Sequence, residues 1–326
     1  MRLLKIIPDN TNIDFVRLRY WAFGLTTLLT LAAIALVPLK GLNMGVDFVG
    51  GLSIEYKFAT APSLDTVRSS VDRLGLGEVG LQQIGDPTRL TIRLPAQTGS
   101  DDATNIAVNK VTAELSKDFP GSSYQKQSAV SGKVSGELVQ RGILAVVLAV
   151  IGICLFAIFR FEWQFGISTG VAILHDVLMT LGFFALTQFE FDLNIVAAVL
   201  TIIGYSINDK IVIDDRIREN MRRYRKMDMR EIINLSVNET LPRTVMTSLT
   251  IILALTSLLL FGGHVLRGFT AAMILGVVVG TYSSIYVSSS LLITLGLDKS
   301  RFRQMAEATD KKKAARARAE RIAPKP

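Results

Sequence analysis

Six long apolar runs constrain this chain more than any other feature of its sequence. They lie at 20–39, 139–159, 165–187, 193–213, 244–262 and 268–295. Each is about 20 residues long, which is the length that an α-helix needs to cross roughly 30 Å of hydrocarbon. A stretch of ordinary soluble composition, 40–138, separates the first run from the second. The sequence therefore predicts a polytopic α-helical membrane protein with six transmembrane helices and one extramembrane domain.

The distribution of Lys and Arg predicts the orientation, because cytoplasmic flanks of membrane helices carry the excess of these residues. Residues 299–326 hold ten Lys/Arg against three Asp/Glu, and the 214–243 segment contains a cluster of Arg. We therefore expect a cytoplasmic N-terminus (1–19), a cytoplasmic loop (214–243) and a basic cytoplasmic tail (296–326) held near anionic lipid rather than RNA. The first run then acts as an uncleaved signal anchor, and the 40–138 domain lies outside.

The residues between the first two runs predict a small α+β domain. Apolar residues alternate in strand-like segments and recur at helical spacing between them. The order β-α-β-β-α-β is typical of a ferredoxin-like domain, with elements at 51–58, 64–74, 79–85, 89–95, 101–117 and 123–130. Residues 41–140 hold nine Lys/Arg against eleven Asp/Glu and neither His nor Cys. That composition argues against nucleic-acid binding and against an enzyme site, so we expect contact or movement rather than chemistry.

Ionisable residues inside the fourth run are the strongest functional signal. Helical spacing places Tyr205 on the face of Asp209, with Asn208 beside it. A charge at membrane depth costs about 2.5–3.5 kcal/mol on insertion scales and usually marks an ion path or an ion pair. The alternative is that Asp209 lies close enough to the cytoplasmic end to be hydrated. We favour a functional carboxyl because polar residues share its face.

The fifth run supplies a candidate counter-ion for this carboxyl. Arg243 begins a stripe of small and polar residues at helical spacing, which continues with Thr247, Thr250, Ala254 and Ser257. Pro242 suits the first turn of that helix, where its missing N–H is not needed. We therefore expect Arg243 to pair with Asp209; the alternative is that it anchors lipid headgroups.

Three further polar residues lie within the apolar runs. Lys210 points about 100° away from Asp209, so we interpret it as structural, with its stem reaching the inner interface and Asp214 as a possible partner. His175 and Asp176 lie near the middle of the third run, and Asp176 faces the bundle. A lone His in an apolar helix is more often packed than bound to a metal, so we expect no metal site.

Small residues in the sixth run predict a packing seam. Gly276, Gly280 and Ser284 lie four residues apart, a spacing that favours close helix contact within the bundle or against a partner. From the residues alone we expect a buried Asp/Arg/Thr path for protons or cations, with no cofactor and no enzyme activity. Two other classes remain open: a small-solute/proton antiporter, and an intramembrane aspartyl protease that uses Asp176 and Asp209.

Five motifs, in this order, resemble the SecF family of the bacterial Sec translocon. They are GVDFVGG (45–51), HD (175–176), GYSINDKIVIDDRIREN (204–220), LPRT around residue 242 and GTYSSIYVSSS (280–290). The resemblance covers the whole chain and implies half of a twelve-helix bundle of the RND superfamily, whose other half is SecD. It also implies a multi-pass protein of the bacterial inner membrane with a periplasmic 40–138 domain.

The resemblance further implies partners and site residues. SecF-like proteins act with SecD, the SecYEG channel and often YajC, and they use the proton-motive force to promote late stages of preprotein export. The family's proton-relay positions correspond to Asp209, Arg243 and Thr247. Secondary polar positions are His175, Asp176, Tyr205 and Asn208, and motif or partner contacts are Asp47, Gly50, Gly51, Gly276, Gly280 and Ser284. Lys210 departs from the family, which usually has a small residue there.

Overall fold

The computed structural model describes residues 8, 11–97, 101–263 and 266–297. In chain order its elements are α1 (Arg19–Lys40), α2 (Val46–Val49), β1 (Gly51–Lys57), α3 (Leu64–Asp72), β2 (Gly80–Ile84), β3 (Asp86–Leu94), α4 (Asp101–Asp118), β4 (Ser123–Val130), α5 (Gly132–Arg160), α6 (Trp163–Thr187), α7 (Leu193–Arg223), α8 (Met229–Phe261), α9 (Arg267–Tyr282), a π-helical segment (Ser283–Ser288) and α10 (Ser289–Thr294). The predicted basic tail lies almost entirely outside the described residues.

The four strands form the predicted ferredoxin-like domain together with α3 and α4. Its antiparallel sheet has the order β2-β3-β1-β4, so β3 lies between β1 and β2 as in a split βαβ unit. Alternate residues of β1 and β3 share one core with α3 and α4, and this core includes Leu52, Ile54, Leu90, Ile92, Val67 and Val111. β3 begins at Asp86 rather than at residue 89, because Pro87 at the start of a strand needs no ladder hydrogen bond.

Six helices in the described part of the chain are long and apolar enough to cross a membrane: α1, α5, α6, α7, α8 and the continuous Arg267–Thr294 helix. Within their most apolar windows, 50% of α6, 44% of α7 and 56% of Arg267–Thr294 is buried, against 6% of α5 and 11% of α8. The bundle is therefore centred on α6, α7 and the last helix. The predicted class, six membrane helices with a small α+β domain between the first and second, is confirmed.

The 214–243 segment differs from its prediction as a loop, because it is helical except at 224–228. α7 continues beyond its apolar run to Arg223, and α8 begins at Met229 behind a capping box. Buried apolar residues of the two extensions pack in one cluster. The loop prediction was wrong because it equated the end of an apolar run with the end of a helix, whereas an amphipathic helix continues where only one face is buried. Pro242 consequently lies inside α8, not in its first turn.

Candidate functional site

Asp209 lies on the inner face of α7 and is 3% exposed. No hydrogen-bond donor in the described part of the chain reaches its Oδ2 atom. Arg243 interacts with it electrostatically, but among the described residues no ion pair joins the two. Thr244 and Ser248, rather than Arg243, form the buried face of α8 at this level. The expected direct pair is therefore absent from this conformation, because the guanidinium points out of the bundle.

The exposed Arg243 side chain lines a cavity of about 360 Å³ beside α7. Other charged residues of the lining are Arg160, Asp215, Arg216 and Glu219. Thr247 lies one turn further along α8 and is half-buried, and its hydroxyl donates to the Thr244 carbonyl at 2.9 Å. The structure thus places Arg243 and Thr247 on one side of α8, as expected, with neither hydrogen-bonded to Asp209.

A chain of hydroxyls joins three helices near this carboxyl. Tyr205 on α7 donates to Ser248 Oγ at 2.9 Å, and Ser248 Oγ lies 2.8 Å from Thr281 Oγ1 of α9. Asn208, the other polar residue predicted beside Asp209, is exposed. Tyr205 therefore contributes to contacts inside the bundle, while Asn208 faces outward.

Asp176 has the most complete set of hydrogen bonds of the predicted polar residues. Its Oδ2 accepts from Ser206 Oγ of α7 at 2.6 Å and from Ser283 Oγ of the π-helical segment at 3.0 Å. Its Oδ1 lies 3.1 Å from His175 Nδ1. Asp176 is 1% and His175 5% exposed. The prediction that Asp176 faces into the bundle is confirmed.

Four consecutive residues of the last helix bind four different helices. Thr281 bonds Ser248 of α8, Tyr282 bonds Thr26 of α1, Ser283 bonds Asp176 of α6, and Ser284 bonds the Ser206 carbonyl of α7. We call residues 281–284 the hydroxyl hub. Of these four residues, only Ser284 was a predicted contact residue, although a run of hydroxyls within an apolar helix is a usable signal.

Lys210 forms a buried ion pair with Asp214, one turn further along α7. The two side chains are 2% and 1% exposed, and the Lys210 ammonium lies 5.7 Å from the centre of the Phe165 ring. The predicted partner is confirmed, but the interpretation that the lysine stem reaches the interface was wrong. Lys210 faces Phe165 of α6 and is buried, so its ammonium does not reach the membrane interface.

The seam of the last helix packs against α7 of this same chain. A Cβ atom added to Gly276 would lie 2.4–2.7 Å from side-chain atoms of Ile202, and one added to Gly280 would lie 3.0 Å from Ser206. Ser284 Oγ donates to the Ser206 carbonyl at 3.3 Å. Of the two predicted roles for Gly276, Gly280 and Ser284, the structure shows packing within the bundle.

The GVDFVGG motif joins the small domain to two membrane helices. Asp47 Oδ2 accepts from the Leu193 backbone N–H at 3.0 Å, so it helps to cap the N-terminus of α7. Gly50 and Gly51 have φ values of 77° and 114°. A Cβ atom on Gly51 would lie 2.5 Å from the Leu94 carbonyl oxygen, and one on Gly50 would lie 3.0 Å from Cα of Gly132 in α5. Both glycines are therefore required by positive φ and by close approach.

A second contact at this junction was not predicted. Arg93 of β3 donates to Asn43 Oδ1 at 3.0 Å and to the Met44 carbonyl at 2.9 Å. It also lies 3.2 Å from a carboxyl oxygen of Glu190, in the segment between α6 and α7. Burial raises the pKa of Glu190, and the Arg93 charge partly opposes this rise. The small domain is thus attached to the membrane bundle at Glu190, within the α6–α7 connection, and through Asp47 at the start of α7.

Comparisons with known proteins match this architecture along most of the chain. The family model described as "Protein export membrane protein SecD/SecF, C-terminal" matches residues 108–298, and the one described as "SecD/SecF GG Motif" matches residues 35–62. Protein translocase subunit SecF of Cereibacter sphaeroides is 42% identical over 306 residues, covering 91% of this chain and 93% of that protein. The Rickettsia felis protein of the same name is 40% identical over 290 residues, covering 89% and 94%.

Solved structures of SecDF proteins share the fold. A crystal structure of SecDF from a Thermus species, described as a translocon-associated membrane protein, matches with a TM-score of 0.80 and 34% identity over 90% of this chain. A structure described as SecDF in a super-membrane-facing form has a TM-score of 0.64 and 32% identity. This chain covers 40% of each SecDF chain. The chain therefore belongs to the SecF branch of the SecD/SecF family of protein export membrane proteins.

Proposed function

We propose that this chain assembles with SecD in the bacterial inner membrane, and that the pair uses the proton-motive force to promote late stages of preprotein translocation through the SecYEG channel. Membership of the family makes the chain a translocase subunit rather than an enzyme. The solved SecDF chains are more than twice as long as this chain. We assign the part of them that this chain does not cover to SecD. Association with YajC, contact with anionic lipid and the periplasmic side of the 40–138 domain stay predictions.

The observation that carries the proposal is an exposed polar stripe on α7. Small and polar residues recur at helical spacing on its outer face: Asn194, Ala197, Thr201, Gly204 and Asn208. A Cβ atom added to Gly204 would meet nothing within 4 Å. Such residues are typical of helix–helix contacts in membranes, and polar side chains are unfavourable towards lipid. A second helical bundle would cover the stripe, and Asp209 would then lie beside the contact.

The surroundings of Asp209 support its role as the proton-binding group. Its Oδ2 atom is buried without a hydrogen-bond partner among the described residues, and Arg243 acts on it from a distance. Protonation would remove the attraction between the carboxylate and Arg243, and loss of the proton would restore it. One proton crossing 100 mV releases about 2.3 kcal/mol, which shifts a two-state population about 50-fold. Because Asp47 caps the outer end of α7, a shift of this helix reaches the small domain.

The test is Asp209→Asn in vesicles that contain SecD and the SecYEG channel. Asparagine keeps the size of the side chain and removes its ability to ionise. We expect loss of the stimulation of preprotein translocation that depends on the proton-motive force, with co-purification of SecD unchanged. Glu137→Gln, at an exposed carboxyl of α5, is the matched control. Normal stimulation in Asp209→Asn would exclude Asp209 as the proton-binding group.

The other two candidate functions, an intramembrane aspartyl protease and a small-solute/proton antiporter, have less support from the site. An aspartyl protease needs two carboxyls that share a proton, whereas the Asp176 carboxyl binds two serines and His175. No hydrogen bond links Asp176 to Asp209 among the described residues. A solute antiporter would transport its substrate without a preprotein, which the same vesicles would reveal.

A further inference from the structure

We propose that Asp176 and His175 form a second proton-binding site, separate from Asp209, that controls the hydrogen bonding of the hydroxyl hub. Proton binding at Asp176 stands on the geometry of α6, α7 and the π-helical segment. Its consequence for export rests on the proposed function, so the two are tested by different measurements.

The depth of Asp176 makes an unpaired negative charge costly. It lies 11 residues from the nearer end of α6 (Trp163–Thr187), which corresponds to about 16 Å of helix. With 1% of its surface exposed, the carboxylate cannot be hydrated by bulk water. A buried charge without a cationic partner is strongly unfavourable, and such groups take up a proton or a counter-ion instead.

Among the described residues, no Lys or Arg of the elements packed against α6 forms an ion pair or a hydrogen bond with Asp176. The buried or half-buried titratable groups of these elements are Arg19 of α1, Cys154 of α5, Tyr205, Asp209, Lys210, Asp214, Arg216 and Arg218 of α7, Tyr282 of α9 and Tyr286 of the π-helical segment. Arg216 pairs with Glu219 and Glu239, and Arg218 donates to the Arg160 carbonyl. Lys210 is bound to Asp214, and Arg19 donates to the Tyr20 hydroxyl at 2.7 Å. His175 is the basic group in contact with Asp176, at 3.1 Å, and no described residue bonds its Nε2 atom. One proton bound by either member of this pair gives the pair a net charge of zero.

Proton binding at Asp176 would change the hydrogen bond that Ser283 donates. Ser283 Oγ lies 3.0 Å from Asp176 Oδ2 and 3.1 Å from the carbonyl oxygen of Gly280. Its single hydrogen can serve one of these acceptors at a time. With Asp176 ionised, the serine donates to the carboxylate; when a proton binds Oδ2, the new O–H donates to Ser283 Oγ and the serine hydrogen turns to Gly280. No bond other than the new O–H is formed.

The position of Ser283 connects this change to the rest of the bundle. It is the first residue of the π-helical segment, and such segments are frequently found at functional sites. Its neighbours in the hydroxyl hub bind α8, α1 and α7. A change in the hydrogen-bond partner of Ser283 therefore occurs at the start of the π-helical segment. It also occurs beside the residues that bind three other helices.

Infrared difference spectroscopy of the full-length protein with SecD in lipid vesicles, recorded across a pH step, tests the proton site without an export assay. We expect a carboxylic-acid C=O band that is lost in Asp176→Asn and persists in Asp209→Asn and in Glu137→Gln. Asparagine can still accept from both serines through its carbonyl oxygen, so the hydrogen bonds that support the fold are retained. A complete set of bands in Asp176→Asn would overturn the proposal.

Ser283→Ala provides a second measurement that does not depend on the asparagine variant folding. It keeps the Asp176 carboxyl but removes the acceptor of its acid proton, so the band should persist and move to higher frequency. An unmoved band would overturn the assignment of Ser283. If translocation is insensitive to Asp209→Asn while the Asp176 band behaves as expected, the proposed function fails and this proton site stands.

Discussion

The buried pair Lys210–Asp214 allows a sharp test of how charge is held inside this bundle. Lys210→Met preserves the length and apolar volume of the stem but leaves Asp214 1% exposed and without its cation. Breaking a buried pair in this way costs about 3–5 kcal/mol, a large fraction of a total stability of about 5–15 kcal/mol. Asp214→Leu should cost a similar amount, because it leaves the ammonium buried. The double variant removes both charges and should be close to the parent, or more stable by about 1–4 kcal/mol.

The measurement is equilibrium unfolding of the purified protein in detergent, with the four proteins of the cycle compared under one condition. The matched control is the exposed pair Glu137–Arg141 of α5, which has the same four-residue spacing and an N–O distance of 3.4 Å. Arg141→Met should cost less than about 1 kcal/mol, because exposed pairs contribute little. A similarly small cost for Lys210→Met would refute the reasoning and would mean that the ammonium reaches water.

Two other predictions concern the packing of α7. Gly276→Ala should destabilise the protein by about 1–2 kcal/mol, because its Cβ atom would clash with the stiff, buried Ile202 side chain. Combining it with Ile202→Ala should recover part of the lost stability. The control Gly204→Ala, in open space on α7, should be neutral or stabilising. The same unfolding assay checks both, and a neutral Gly276→Ala would contradict the packing. Asp47→Ala should weaken the cap of α7 by about 0.5–1 kcal/mol and speed hydrogen exchange at residues 193–196, whereas exposed Glu78→Ala should change neither; unchanged exchange in Asp47→Ala would exclude the cap.

The site could be predicted only in part, as the α7 residues illustrate. The buried face that carries Asp209 follows from helical spacing, and so does the separation of Lys210 from it. The partner of each group did not follow, because it depends on how a neighbouring helix is rotated. Thr244 and Ser248 turn inward on α8, which moves Arg243 to the outside. The same rotation places Ser248 where it accepts a hydrogen bond from the Tyr205 hydroxyl.

The sequence by itself determined the six membrane helices, the β-α-β-β-α-β order of the small domain and the set of polar residues within apolar runs. These are local properties, since hydrophobic length and the periods of helix and strand are encoded by neighbouring residues. The tertiary structure alone decided that the 214–243 segment continues as paired helices, that Lys210 forms a buried ion pair with Asp214 and that Asp176 accepts hydrogen bonds from Ser206 and Ser283. Each of these depends on contacts between residues far apart in the chain, where packing and the avoidance of unpaired buried charge select one arrangement among several that the local pattern allows.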